Sequence, residues 1–205
     1  MYIESSRFKK LHEELSKVPE SKGPGKIIVL NGTSNAGKTT IAKLLQDSLY
    51  EKGLGVYLYI SIDGFQDSLP KGVKDQPENL VKELPQIVYA YSSVITSACV
   101  SGVNIIADMV FTEINWTHDF LYKAKELNTL YVGVKCSLEK TIQREIVRGD
   151  RVIGLAEYQY ERVHRDIDYD LVVDTTNIEP RVNVLKILSI LKVKKFKKEN
   201  KFLKL

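Results

Sequence analysis

The feature that most limits what this chain can fold into is Gly32-Thr33-Ser34-Asn35-Ala36-Gly37-Lys38-Thr39, set between two segments of different periodicity. Before it, Ile27-Ile28-Val29-Leu30 is apolar without alternation, as a strand buried on both faces of a parallel sheet must be. After it, Ile41, Leu44, Leu45 and Leu49 recur at helical spacing over 38–52. The pattern G-x-x-x-x-G-K-[ST], following a strand and opening a helix, is a phosphate-binding loop. Its glycines let the backbone wrap closely round a phosphate, and the loop N–H groups and helix N-terminus face the anion. Lys38 is expected to reach the β- and γ-phosphates and Thr39 to ligate magnesium. With Thr40 the nucleotide-contacting segment runs from Gly32 to Thr40, and the expected small molecules are ATP and Mg2+.

Beyond the loop, strands are predicted at 56–62, 103–108, 129–135 and 170–174. Helices are predicted at 80–100, 115–127, 138–148, 155–165 and 180–193. Alternating strands and helices build a parallel sheet covered on both faces, with ligands at the carboxyl ends of the strands. Residues 64–79, with several charges, two prolines and little periodicity, read as a long loop or irregular lid. Three parts follow. Residues 1–25 are an extension, with an amphipathic helix over 7–18 (Phe8, Leu11, Leu15, Val18) and a Gly/Pro linker. Residues 26–193 are one domain, and 194–205 a lysine-rich tail. The net charge is +4, but Lys192 to Leu205 alone carries +6, so the body is near neutral. A basic cleft for long nucleic acids is therefore not expected. No apolar run approaches a membrane span and the start carries no signal-peptide core. Cys99 and Cys136 suit neither a disulfide framework nor a zinc site. Together these point to the reducing cytoplasm.

Two acids end predicted strands. Asp63 follows Val56–Ile62 at the end that opens beside the γ-phosphate, where a carboxylate can accept the proton of an attacking hydroxyl. An aspartate capping a loop would look the same, and Asp67 is the alternative base. Asp108 ends Val103–Ala107 like the second magnesium-site acid of phosphate-loop enzymes. Arg144 and Arg148 lie four apart on one helix face, Gly149 breaks the helix, and Arg151 follows. Three guanidinium groups round a turn suit a lid closing over a transferring phosphate, because the planar fork binds phosphate oxygens bidentately.

These residues, in order, resemble the chloramphenicol phosphotransferase-like kinases. The resemblance spans Ile27 to Thr176. It rests on Ile28–Gly32 leading into Ala36-Gly37-Lys38, on Ile62-Asp63 with Leu69-Pro70, on Ile105–Phe111, and on Tyr131–Cys136. Its most specific part is Arg144-Glu145 followed by Arg148–Val152, with Gly154, Val163-His164, Tyr169-Asp170 and Val173–Thr176 beyond. It implies an α/β fold of the P-loop, nucleoside-kinase-like kind, with a five-stranded parallel sheet, helices on both faces and an arginine-bearing lid. It implies ATP-dependent phosphorylation of a hydroxyl on a small acceptor, with Asp63 as catalytic base, Lys38 on the phosphates, and Arg144, Arg148 and Arg151 on the lid. Asp174-Thr175-Thr176 falls near the adenine. The stretch from Asp63 to Asp108 is shorter than in the antibiotic kinase and differs from it, and Met109 stands where an acid often follows. A homo-oligomer is compatible with this reading. The rival readings are an ATP-binding or ATP-hydrolysing regulatory module, and a nucleoside or polynucleotide kinase.

Overall fold

The computed structural model describes residues 5–15, 23–149 and 153–193; Arg151 and the tail from 194 onward lie outside them. The strands are β1 (Lys26–Asn31), β2 (Tyr57–Ser61), β3 (Asn104–Met109), β4 (Asn128–Lys135) and β5 (Leu171–Asp174). They form one sheet in the order β2-β3-β1-β4-β5, and every neighbouring pair is parallel. The helices are α1 (Ser5–Leu15), α2 (Lys38–Glu51), α3 (Ile62–Asp67), α4 (Lys71–Lys74), α5 (Pro77–Val100), α6 (Ile114–Ala124), α7 (Leu138–Arg148), α8 (Leu155–Tyr160) and α9 (Pro180–Val193).

The continuous apolar run of β1 is explained by two cores. Ile28 and Leu30 join Ile41, Leu45 and Leu49 of α2 and Ile187 and Leu188 of α9 on one face. Ile27 and Val29 join Tyr91 and Ile95 of α5 and Phe120 of α6 on the other. All four β1 residues are fully buried, each removal from water favouring the fold by about 1.5–3 kcal/mol. Burial on both faces fixes β1 at the centre, so the loop that follows it opens at the middle of the sheet's carboxyl edge.

Two predicted segments fold differently. The long loop expected over 64–79 is largely helical. Ser61 caps α3 by accepting a hydrogen bond from the Gly64 N–H at 3.1 Å, and α4 follows. Pro77, which reads as a breaker, instead occupies the first turn of α5, where its missing N–H has no helical partner to lose. The helix expected over 155–165 ends at Tyr160, and residues 161–166 turn instead. The turn carries the Val163 carbonyl to Asn31 and the His164 ring to Tyr169. No helix among the described residues is long and apolar enough to cross a membrane.

Candidate active site

A cleft of about 360 Å³ opens where β1, β2 and β3 end. The loop residues Ser34, Asn35, Gly37, Lys38, Thr39 and Thr40 line one wall. Gly32, Thr33 and Ala36 form the inner side of the loop, where the Thr33 carbonyl accepts from both the Ala36 N–H and the Lys38 ammonium. Gly37, the residue before α2, has φ +86°, a left-handed backbone that favours glycine. It turns the chain so that α2 starts with its free N–H groups toward the cleft.

Asp63 and Asp108 come together with Lys38 and Thr39 in this cleft. Asp63 lies in the first turn of α3, two residues past the end of β2. Asp108 is paired in register with Ser61 of β2 and Leu30 of β1, so the sheet itself sets its height. Its Oδ2 accepts from Thr39 Oγ1 at 3.1 Å and from the Tyr59 hydroxyl at 3.0 Å, and Lys38 Nζ lies 3.6 Å from Oδ1. Burial first, and the Asp108 charge second, push the Tyr59 phenol up to about 12, so it remains a donor. Asp67, the alternative base, is exposed at the end of α3 and lies outside the cleft lining. Tyr91 is fully buried and its one hydroxyl proton is shared between the carbonyls of Ile60 (2.8 Å) and Asp108 (3.2 Å), tying the ends of β2 and β3. Burial, then Asp108, Tyr59 and Asp63, hold its phenol well above the usual range.

A magnesium ion would find one hydroxyl, Thr39, and one carboxylate, Asp108, already hydrogen-bonded to each other. That donor set fits the ion, which keeps several waters and takes one or two carboxylates together with substrate phosphates. Among the described residues no group of three His, Cys, Asp or Glu could hold a metal, and the residues offered here do not require one.

The arginines separate. Arg144 and Arg148 both line the cleft, and Arg148 ends α7 with Gly149 behind it in a left-handed turn. Arg144 also ties the loop to the last strand end. Its guanidinium donates to the carbonyls of Asn35 (3.2 Å) and Thr175 (2.8 Å), to Thr175 Oγ1 (3.3 Å) and to Cys136 Sγ (3.4 Å). Cys136 is accordingly a buried packing residue. Thr175 Oγ1 in turn donates to the Ala36 carbonyl at 2.7 Å and lines the cleft beside Ile178 and Pro180. Its neighbours build the turn instead: Asp174 Oδ1 accepts from the Thr176 N–H, and Thr176 Oγ1 from the Ser137 N–H.

The comparisons with known proteins agree with one another. A family model described as chloramphenicol phosphotransferase-like protein matches residues 25–192. The chain belongs to this family. A relative named "Putative O-phosphotransferase Rv2636", from Mycobacterium tuberculosis, is 31% identical, over 74% of this chain and 76% of the relative. Among solved structures, the APS kinase CysC of Mycobacterium tuberculosis, in complex with AMPPNP and APS, superposes with a TM-score of 0.63 at 15% identity, covering 83% of this chain and 99% of that one. Shikimate kinase from Acinetobacter baumannii, in complex with shikimate, gives 0.58 at 17% identity, covering 86% and 97%. The chain is thus a phosphotransferase of the chloramphenicol phosphotransferase-like family, on the P-loop kinase fold.

In this family member the floor of the phosphate loop is polar. Asn31, fully buried at the end of β1, accepts from the Phe111 N–H at 2.9 Å. It donates to the Val163 carbonyl (2.6 Å) and to the Tyr169 hydroxyl (2.7 Å). The Tyr169 ring lies over Gly133, the register partner of Asn31, where an added Cβ would stand 2.8 Å from the ring. Gln159 of α8 accepts from the Ser34 N–H at 2.7 Å, and buried Glu145 holds the start of α8 through the Gly154 and Ala156 N–H groups. A polar residue closing an otherwise apolar strand was the one sequence signal for Asn31.

His164 belongs to this floor. The Tyr169 hydroxyl receives the Asn31 amide, so its own proton goes to His164 Nδ1 at 2.7 Å, and the ring is neutral with its proton on Nε2. Burial, with Lys135 and Lys38 adding to it, lowers its pKa from 6.5 to about 4. The unfolded chain therefore takes up this proton near pH 6.5 while the folded one refuses it until about pH 4, so stability falls as pH drops through that window. His164→Gln is expected to flatten this part of the acid limb relative to the unsubstituted protein. Chemical denaturation at pH 7, 6, 5 and 4 measures it, and parallel limbs for the two proteins would contradict the assignment.

Proposed function

We propose that this chain transfers the γ-phosphoryl group of ATP, with Mg2+, to a hydroxyl of a small acceptor molecule. The observation that carries the proposal is the convergence of Lys38, Thr39, Asp63 and Asp108 in one cleft at the carboxyl edge of the sheet. In this reading the loop N–H groups and Lys38 hold the phosphates, and Thr39 and Asp108 hold the cation. Magnesium, when bound, would supply neutralisation of phosphate charge there. Asp63 faces the acceptor and takes the proton of its hydroxyl as the new O–P bond forms and the bond to the β-phosphate oxygen breaks, leaving ADP. Arg148, at the end of α7, neutralises charge that spreads over the equatorial oxygens. We place Arg151, outside the described residues, in the same role by its spacing from Arg148. Thr175 lies where the adenine end would rest, with Asp174 and Thr176 shaping its turn. The lysine-rich tail takes no part in this scheme, and the acceptor is not a long nucleic acid.

The test is turnover of labelled ATP with and without hydroxylated antibiotics (chloramphenicol included), nucleosides and sugars, read by mass spectrometry of the acceptor. A kinase gives strong stimulation by one acceptor class and an acceptor heavier by one phosphoryl group. ATP hydrolysis indifferent to every acceptor would support a regulatory nucleotide-binding module instead.

A further inference from the structure

Asp108 takes one hydrogen bond from outside the phosphate loop. Tyr59 projects from β2, and its hydroxyl lies 3.0 Å from Asp108 Oδ2, the same oxygen that accepts from Thr39 at 3.1 Å. The phenol oxygen is also 3.4 Å from Thr39 Oγ1, so the three groups close a triangle. A phenol has one proton to give, and the nearer, charged acceptor is the stronger one. Thr39 gives its proton to Asp108 as well. Both hydroxyls therefore spend their protons on the carboxylate, and the Thr39 lone pairs stay available to a hard cation.

The competitor for the carboxylate is Lys38, whose Nζ stands 3.6 Å from Oδ1. An ammonium attracts a carboxylate more strongly than one neutral hydroxyl does. The main chain at Asp108 is already fixed by the sheet register and by the Tyr91 hydroxyl on its carbonyl. What remains free is rotation of the side chain. With Thr39 as sole hydroxyl donor, that rotation would carry the carboxylate toward Lys38. The cation site would lose its acid, while Lys38 would stay held at the loop by the Thr33 carbonyl.

We infer that the Tyr59 hydroxyl is the positioning group of the cation site, holding Asp108 Oδ2 on Thr39 against the pull of Lys38 on Oδ1. The inference rests on the magnesium–ATP reading above. Tyr59 need not touch nucleotide or acceptor to do this; it acts through Asp108. Its effect should appear in the coupling between cation and nucleotide rather than in nucleotide binding itself.

The experiment is calorimetric titration of ADP into the full-length protein, once with Mg2+ and once with a chelator, for the unsubstituted chain, Tyr59→Phe and Tyr59→Met. Thermal unfolding in the chelator reports packing. Both variants are expected to bind ADP without metal as the unsubstituted protein does. Each is expected to lose about tenfold of the enhancement that Mg2+ confers, the lower end of what removing an outer-shell partner of a metal ligand costs. An enhancement unchanged in both variants overturns the inference. So does an equal loss with and without Mg2+, or loss of fold in both, since either would make Tyr59 a packing residue. If the unsubstituted protein itself shows no Mg2+ enhancement of nucleotide binding, the magnesium–ATP reading fails instead.

Discussion

Lys38→Ala is expected to lower phosphoryl transfer by at least about 10²–10³-fold, the usual cost of removing one preorganised group that stabilises transition-state charge. The ammonium is buried at the mouth of the phosphate loop, held by the Thr33 carbonyl at 2.9 Å and by Asp108 at 3.6 Å. Among the described residues no other lysine lines the cleft. Breaking a buried ion pair ordinarily destabilises, because the remaining charge is stranded. Here Asp108 keeps two hydroxyl donors and borders an open cleft, so the fold should survive. Circular dichroism and thermal unfolding establish that, and single-turnover kinetics with labelled ATP measures the loss. Full turnover in a folded Lys38→Ala protein would remove the phosphate-loop assignment.

Asp63→Asn should be nearly as damaging to transfer while sparing nucleotide binding. The amide keeps the size of the carboxylate and its place in the first turn of α3, but cannot take a proton. General-base help is typically worth about 10²–10⁴-fold. Phosphoryl transfer through a loose transition state needs little early deprotonation, so the loss should lie toward the lower end of that range. ADP affinity should change little, since in the proposed scheme the phosphate loop and Thr175, not Asp63, hold the nucleotide. Calorimetry beside acceptor turnover separates the two quantities. Undiminished turnover would refute the base assignment. A parallel loss of affinity and turnover would move Asp63 to the cation site.

What could be read from sequence was what lies close together in the chain. The strand–loop–helix unit around Gly32 to Thr39 is contiguous, and its apolar runs carry their own periodicity, so loop, sheet and core were all visible. Asp63 and Asp108 could be placed at the sheet's carboxyl edge because each lies within two residues of a strand's end. The helices α3 and α4 were hidden, because both are short and carry no apolar stripe, α3 resting on the Ser61 cap. The division between Arg144 and Arg148 was hidden for another reason. Spacing puts both on one helix face, but only the packed structure brings Asn35 and Thr175 to Arg144. Tyr59, Gln159 and Asn31 find their partners across the fold, and an unaligned sequence carries no trace of such pairings.

The order of synthesis meets an obstacle in the supports of the phosphate loop. Every residue that a nucleotide-binding sequence motif requires has left the ribosome once Thr39 has. Yet the loop's backbone is held by Arg144 on the Asn35 carbonyl, Gln159 on the Ser34 N–H and Thr175 on the Ala36 carbonyl, all from the last third of the chain. A growing polypeptide therefore carries the motif long before it carries the site. On the proposed reading, nucleotide binding reports that β5 has docked, and a role for nucleotide as an early folding template is not expected.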